Sequence, residues 1–149
     1  MNNEEIITAL NHLIEICKDG EYGFNECARH TSTSGLSQVL QLRAVASQRA
    51  ADELQALVQE HGGTPERHGS LIGAVHRGWV TVRSGLSSND DLAMLEECER
   101  GEDRAEREYG KALGLELPEP VREVVIRQYE SLISHHDQIR SLRDMRKAA

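Results

Sequence analysis

The sequence predicts an all-α protein: a four-helix bundle of two antiparallel helical hairpins joined by a long crossover that contains a short helix. Three observations carry this. Apolar residues recur at three- and four-residue spacing in five segments, and no segment alternates with period two. One phenylalanine and one tryptophan among 149 residues leave a core of Leu, Ile, Val and Ala, which suits packed helices better than a sandwich. The linkers are unequal, with two short ones flanking a long one. A chain of this length fills one domain, taken here as 1–149, without staples.

The first helix is expected from about Asn3 to His30, with the stripe Ile6, Leu10, Leu13, Cys17, Gly20, Phe24 and Cys27. The polar run Thr31-Ser32-Thr33-Ser34-Gly35 breaks it, and a second helix from about Ser34 to His61 carries Leu36, Leu40, Ala50, Leu54 and Leu57. Gly62-Gly63 stops that helix. So short a first link makes these helices antiparallel neighbours. Within the following long segment, Ile72, Val75, Trp79, Val82 and Leu86 repeat at 3-4-3-4 spacing and predict a short helix from about Ser70 to Leu86, with Gly73 and Gly78 weakening it. Ser88 or Asn89 can cap a third long helix, where Asp90 and Asp91 suit the dipole, and the helix runs to about Leu113. Gly114 ends it. Pro118 starts a fourth helix reaching about Arg146, with the stripe Val121, Val125, Gln128, Leu132, His135, Ile139 and Leu142. Two hairpins and one long crossover are the connectivity of ferritin-like bundles; an up-down-up-down bundle has only short loops.

Charge narrows the function classes. A net charge of −8 and a pI near 5.4 argue against a sequence-independent grip on nucleic acid or an anionic membrane. No apolar run is long enough to span a bilayer, and MNNEEIITAL begins acidic where a signal peptide begins basic. Cys17, Cys27 and Cys98 are odd in number and widely spaced, which predicts reduced thiols and, with the rest, a cytoplasmic protein.

The third helix, LEECERGEDRAEREYG in its middle, is dense in carboxylates. Its best apolar stripe is Leu95, Cys98, Glu102, Ala105, Tyr109 and Ala112, so Glu102 faces inward with Glu99 and Glu106 on the stripe's edge. Glu96, Glu97, Asp103 and Glu108 fall beside Arg100, Arg104 and Arg107 and read as an ion-paired outer face. The other helices add seam polars: Gln128 and His135, with Tyr129 and His136 alongside, Glu21 and Glu53 beside apolar positions, and Arg43 and Ser47 where apolar residues belong. Buried charges must be paired or bound to metal. One solution is an internal network that pairs Glu21 and Glu53 with Arg43 or Arg49, and Glu99 or Glu102 with Gln128, Tyr129 or a histidine. The other is a metal site built from Glu21, Glu53, Glu99, Glu102 and His135 or His136, suited to iron, manganese or zinc. Metal-carrying ferritin-like bundles use Glu-x-x-His on two helices. Here the residues three before the seven histidines are Ala9, Cys27, Val58, Pro65, Gly73, Leu132 and Ile133, and none is acidic. That favours the network.

KDGEYGF (Lys18–Phe24), GGTPERHGS (Gly62–Ser70), HRGW (His76–Trp79), ECERGEDRA (Glu97–Ala105) and HDQIRSLRD (His136–Asp144) resemble an uncharacterised bacterial four-helix-bundle family, a domain of unknown function in the ferritin-like superfamily. The resemblance covers almost the whole chain. It implies a ferritin-like fold and no established activity, and the missing Glu-x-x-His departs from the superfamily's catalytic pattern.

Other features weigh less. His76, Arg77, Gly78 and Trp79 read as crossover packing, with Trp79 in the stripe, or as an anion or partner site with Arg83. Glu26 and His30 form an i,i+4 pair of the kind that can clip a surface metal, and it reads first as a solvated pair. No Cys-x-x-Cys, P-loop or Gly-x-Ser-x-Gly occurs. The basic end of the fourth helix, Arg140, Arg143, Arg146 and Lys147, suits a helix C-terminus. The expectation is a non-enzymatic helical module with a polar, ion-paired interior and a stress-related or interaction role, acting through its surface or as a homo-oligomer, without cofactor, nucleic acid or membrane. The alternative is a ferritin-like metal-binding protein with oxidase or metal-handling activity.

Overall fold

A computed structural model describes residues 1–31, 33–69 and 91–148. Four helices make up the described chain: α1 (Asn3–His30), α2 (Ser34–Glu60), α3 (Asp91–Leu113) and α4 (Glu119–Ala148). No strand occurs among the described residues. The expected short helix at Ser70–Leu86, the His76–Trp79 cluster and the expected caps Ser88 and Asn89 lie outside them.

Local chemistry sets the ends. Asn2 caps α1, its side-chain oxygen accepting the Glu5 N–H at 2.9 Å, with Glu4 and Glu5 beside the positive end of the dipole. Gly62, at φ +78°, turns the chain out of α2; its N–H donates to Gln59 O and that of Gly63 to Val58 O, both at 2.9 Å. Only glycine adopts that left-handed backbone without cost.

Hydrogen bonds fix the direction of each helix. After α2, residues 61–69 run back along α1: Glu66 N–H donates to Asn11 Oδ1 at 2.7 Å, Asn11 donates to Thr64 O at 3.1 Å, and Gly69 lies against Asp19. Residues 61–69 thus climb alongside α1. At the other end, Thr31 and Thr33 in the α1–α2 turn donate hydroxyl hydrogen bonds of 2.6 and 2.7 Å to the buried Asp91 carboxylate at the start of α3. The helices therefore run up, down, down, up. This is the ferritin-like arrangement.

Two apolar cores share the bundle. One gathers Leu10, Leu13, Ile14, Leu54, Val58, Tyr109, Val121 and Val125 at the end where α2 and α3 finish. The other gathers Phe24, Cys27, Leu36, Leu40, Met94, Leu95, Cys98 and Ile139 at the opposite end. Between them lies a polar waist. There Gly20 lets α1 approach α2 so closely that a Cβ would sit 3.1 Å from Ser47 Oγ.

Candidate functional site: the polar waist

Glu102 and Arg43 are the centre of the waist. Glu102 is 2% exposed and Arg43 5%, and Arg43 Nε lies 3.9 Å from Glu102 Oε1. That is Coulombic reach without a hydrogen bond. Among the described residues, neither oxygen of Glu102 nor the Nε of Arg43 has a hydrogen-bond partner. The guanidinium also stands 5.2 Å from the centre of the Phe24 ring, a cation–π contact. Burial pushes the Glu102 carboxyl up to about 7, against the opposing pull of Arg43 and His136 and with the help of Glu106 and Asp103. Desolvation wins because no donor replaces the lost water.

A second group lies where α3 meets α4. His136 is 1% exposed, with Nε2 3.2 Å from Asp103 and 3.9 Å from Glu99, and Nδ1 bonded to Glu106. Glu99 is in turn held by Arg140 at 3.5 Å and by Arg143. The ligand atoms of Asp103, Glu106 and His136 all fall within 4.8 Å of one another.

A third group ties all four helices together. The Cys17 thiol meets the Tyr109 hydroxyl at 3.2 Å, Tyr109 donates to Gln128 Oε1 at 2.7 Å, and Gln128 donates to Glu53 at 2.8 Å and to Ala50 O at 3.3 Å. Glu53 also pairs with Arg127. Burial raises the Cys17 thiol to about 11 and pushes the Tyr109 hydroxyl well above its ordinary range, so both are protonated donors at neutral pH.

Beside these groups opens a cavity of about 630 Å³. Its described walls include Cys17, Phe24, Arg43, Cys98, Glu102 and Leu132, and the exposed Arg49, Arg100 and Arg127 stand around it. Arg100 is paired with Glu97 and Arg127 with Glu53, whereas Arg49 makes no ion pair among the described residues.

Of the expected inward residues, Glu99, Glu102 and His136 gather at the α3–α4 face of the waist. Glu21 lies 3.5 Å from Lys18, half-buried on α1, and Glu53 belongs to the Gln128 chain. His135 is partly exposed, 3.4 Å from Ser131, with its pKa lowered by burial and by Arg43. The ladder on α3 follows the expected order, with Glu102 buried and Glu97 and Glu108 partly exposed. Its partners differ. Counting back through the turn brings Glu102 level with Gln128 or Tyr129; in the structure Tyr109 meets Gln128, and Glu102 faces Arg43. The turn is not tight: Leu117 dips into the core and Arg122 donates to Leu113 O at 2.9 Å, which displaces α4 along α3. Pattern alone places Asp103, Arg140 and Arg143 in outer roles. The signal was present, because Arg140 and Arg143 follow His136 at +4 and +7 on one face.

The model of a family described as a domain of unknown function (DUF2383) matches residues 5–115, so the chain belongs to that family. Among solved structures, it is similar to the crystal structure of a two-domain protein containing DJ-1/ThiJ/PfpI-like and ferritin-like domains from Anabaena variabilis. The TM-score is 0.80 at 14% identity, covering 100% of this chain and 39% of that one. The likeness shows a ferritin-like fold, and the chain spans about two fifths of that protein's length. No curated protein matches. No helix among the described residues is long and apolar enough to cross a membrane.

Proposed function

We propose that this DUF2383 chain, residues 1–149 acting as one domain, is a non-enzymatic binding module that takes a small organic acid with an apolar body into the waist cavity. One observation carries the reading. A carboxyl and a guanidinium, both nearly wholly buried, line a cavity of ligand size without the hydrogen bonds that buried polar groups require. With its pKa near 7, Glu102 donates a hydrogen bond when protonated, and Arg43 Nε–H donates a second. Two donors converging beside apolar walls suit a carboxylate oxygen with a hydrocarbon body. Arg49 adds positive charge at the cavity wall. The Cys17 thiol in the cavity wall supports binding over chemistry, since burial holds it protonated.

Calorimetric titration with octanoate, octanol and octylamine tests this. Octanoate is expected to bind the native protein, more tightly at pH 6 than at pH 8, and to lose most of its affinity in Arg43→Gln. Octanol or octylamine binding as tightly as octanoate overturns the acid preference, and no binding by any of the three at millimolar concentration overturns the cavity reading.

The ferritin-like fold raises the question of a metal pair in the bundle interior. The residues present do not fit one. The Arg43 guanidinium stands 3.9 Å from the buried Glu102 carboxyl, and Glu21, Glu53 and Glu99 each have a cationic partner. A second reading is favoured by a different observation, the Asp103–Glu106–His136 cluster, whose two carboxylates and imidazole suit a single zinc, manganese or iron ion. Elemental analysis decides: one ion per chain, lost in His136→Ala, supports this reading, and metal-free protein from metal-supplemented growth removes it.

A further inference from the structure

We propose that Cys27 and Cys98 form a redox pair that peroxide closes into a disulfide joining α1 to α3. The two cysteines are 71 residues apart in sequence, yet their Sγ atoms are 2.7 Å apart, and both are free thiols. An S–S bond is about 2.05 Å long, so closure needs well under an ångström of movement. Helix packing brings the sulfurs together, since each cysteine lies in the buried stripe of its own helix and the two stripes face each other in the upper core.

Surroundings give the two sulfurs different roles. Cys27 is wholly buried, and burial and the neighbouring Cys98 hold its thiol well above the ordinary range, with its S–H directed to Cys98 or to Met94 O at 3.8 Å. Cys98 is 8% exposed and both line the waist cavity, which a molecule as small as peroxide can enter. Cys98 is therefore the attacking sulfur. Its thiolate takes one peroxide oxygen: the S–O bond forms, the O–O bond breaks, and the leaving hydroxide collects a proton as water. The Cys27 sulfur, losing its proton, then attacks Cys98. The S–S bond forms, the S–O bond breaks, and a second water leaves. Two thiols and one peroxide give one disulfide and two waters. Cys17 takes no part, because it is engaged with Tyr109 in the lower core. A disulfide formed in a chain without a Cys framework is of the transient, sensing kind.

The test uses the whole protein, treated with hydrogen peroxide and then denatured and alkylated. Trypsin cuts after Lys18 and Arg29 and after Arg83 and Arg100, so Cys17, Cys27 and Cys98 fall on separate peptides. The expected product is one cross-linked peptide joining Cys27 to Cys98, lighter by two hydrogens, with Cys17 alkylated. Dithiothreitol reverses it, and the oxidised protein melts at a higher temperature than the reduced one. In Cys27→Ser, dimedone is expected to trap a sulfenic acid on Cys98, and Cys17→Ser, which leaves the pair intact, cross-links as the native protein does. A cross-link through Cys17, three alkylated thiols after peroxide, or oxidation of Cys98 to sulfinic acid in the native chain without a cross-link each overturns the proposal.

Discussion

Replacing Glu102 by glutamine makes the cost of its burial measurable. The folded chain holds the Glu102 proton up to about pH 7, against an ordinary 4.5, because burial outweighs the attraction of Arg43 3.9 Å away. The sign follows from which state holds the proton. Below the ordinary pKa the carboxyl is neutral in both the folded and the unfolded chain and costs nothing. As pH rises, the unfolded chain ionises freely while the folded chain must hold the proton or expose its interior to a charge, so stability is lost from about pH 4.5 until the folded carboxyl ionises near 7. The span from 4.5 to about 7 corresponds to about 3 kcal/mol, an order-of-magnitude figure for a side chain 2% exposed. His135 acts in the opposite sense, since its lowered pKa makes stability rise with pH, but it is present in both proteins and drops out of their difference. Urea unfolding followed by far-ultraviolet circular dichroism at several pH values from 4.5 to 8.5 gives that difference. Glu102→Gln is expected to match the native protein at the acid end and to exceed it by about 3 kcal/mol at the alkaline end. A difference that does not change with pH refutes the reasoning, because Arg43 would then compensate the charge fully.

Three further outcomes follow from the same geometry. Arg43→Gln removes the largest influence that lowers the Glu102 pKa, so the Glu102 carboxyl carbon, followed by NMR, is expected to titrate above the native value of about 7; an unchanged midpoint contradicts the pairing. Tyr109→Phe breaks the chain from Cys17 to Gln128 and leaves Gln128 Oε1 without its donor, at a cost of about 1–2 kcal/mol in chemical denaturation. Gly62→Ala meets no neighbour within 4 Å but must adopt φ +78°, so about 1 kcal/mol of purely backbone cost is expected, and a larger loss would mean the turn carries packing as well.

Period and punctuation are enough for the four described helices: α1 and α2 begin close to where their 3-4 stripes begin, and Gly62 and Gly114 follow the ends of α2 and α3. Inward orientation was readable too, because Glu102 sits in an apolar stripe and a stripe has one side. Partner choice was less so. It depends on the rise of α4 relative to α3, which Leu117 and Arg122 set through contacts a helical wheel does not contain. The same limit hid the Cys27–Cys98 approach. Wide spacing in sequence predicts unlinked thiols, yet two stripes facing across an interface bring positions 71 residues apart into touch. Arg140 and Arg143 were read as complements to a helix dipole because one helix alone offers that role. Their pairing with Glu99 requires the neighbouring helix.

The division of the bundle into two apolar cores bears on how the molecule opens. Each core draws on half of every helix: the first half of α1 with the second half of α2, and the second half of α3 with the first half of α4, and the reverse at the other end. Between them the waist holds one unsatisfied ion pair and a cavity, so little apolar contact transmits cooperativity along the long axis. Amide exchange is expected to sort into two blocks of protection separated by a softer belt near Gly20, Ser47 and Glu102, with each end behaving as its own foldon. A guest entering the belt, or a bond closing between α1 and α3 beside it, would couple the two ends and turn two local melting events into one.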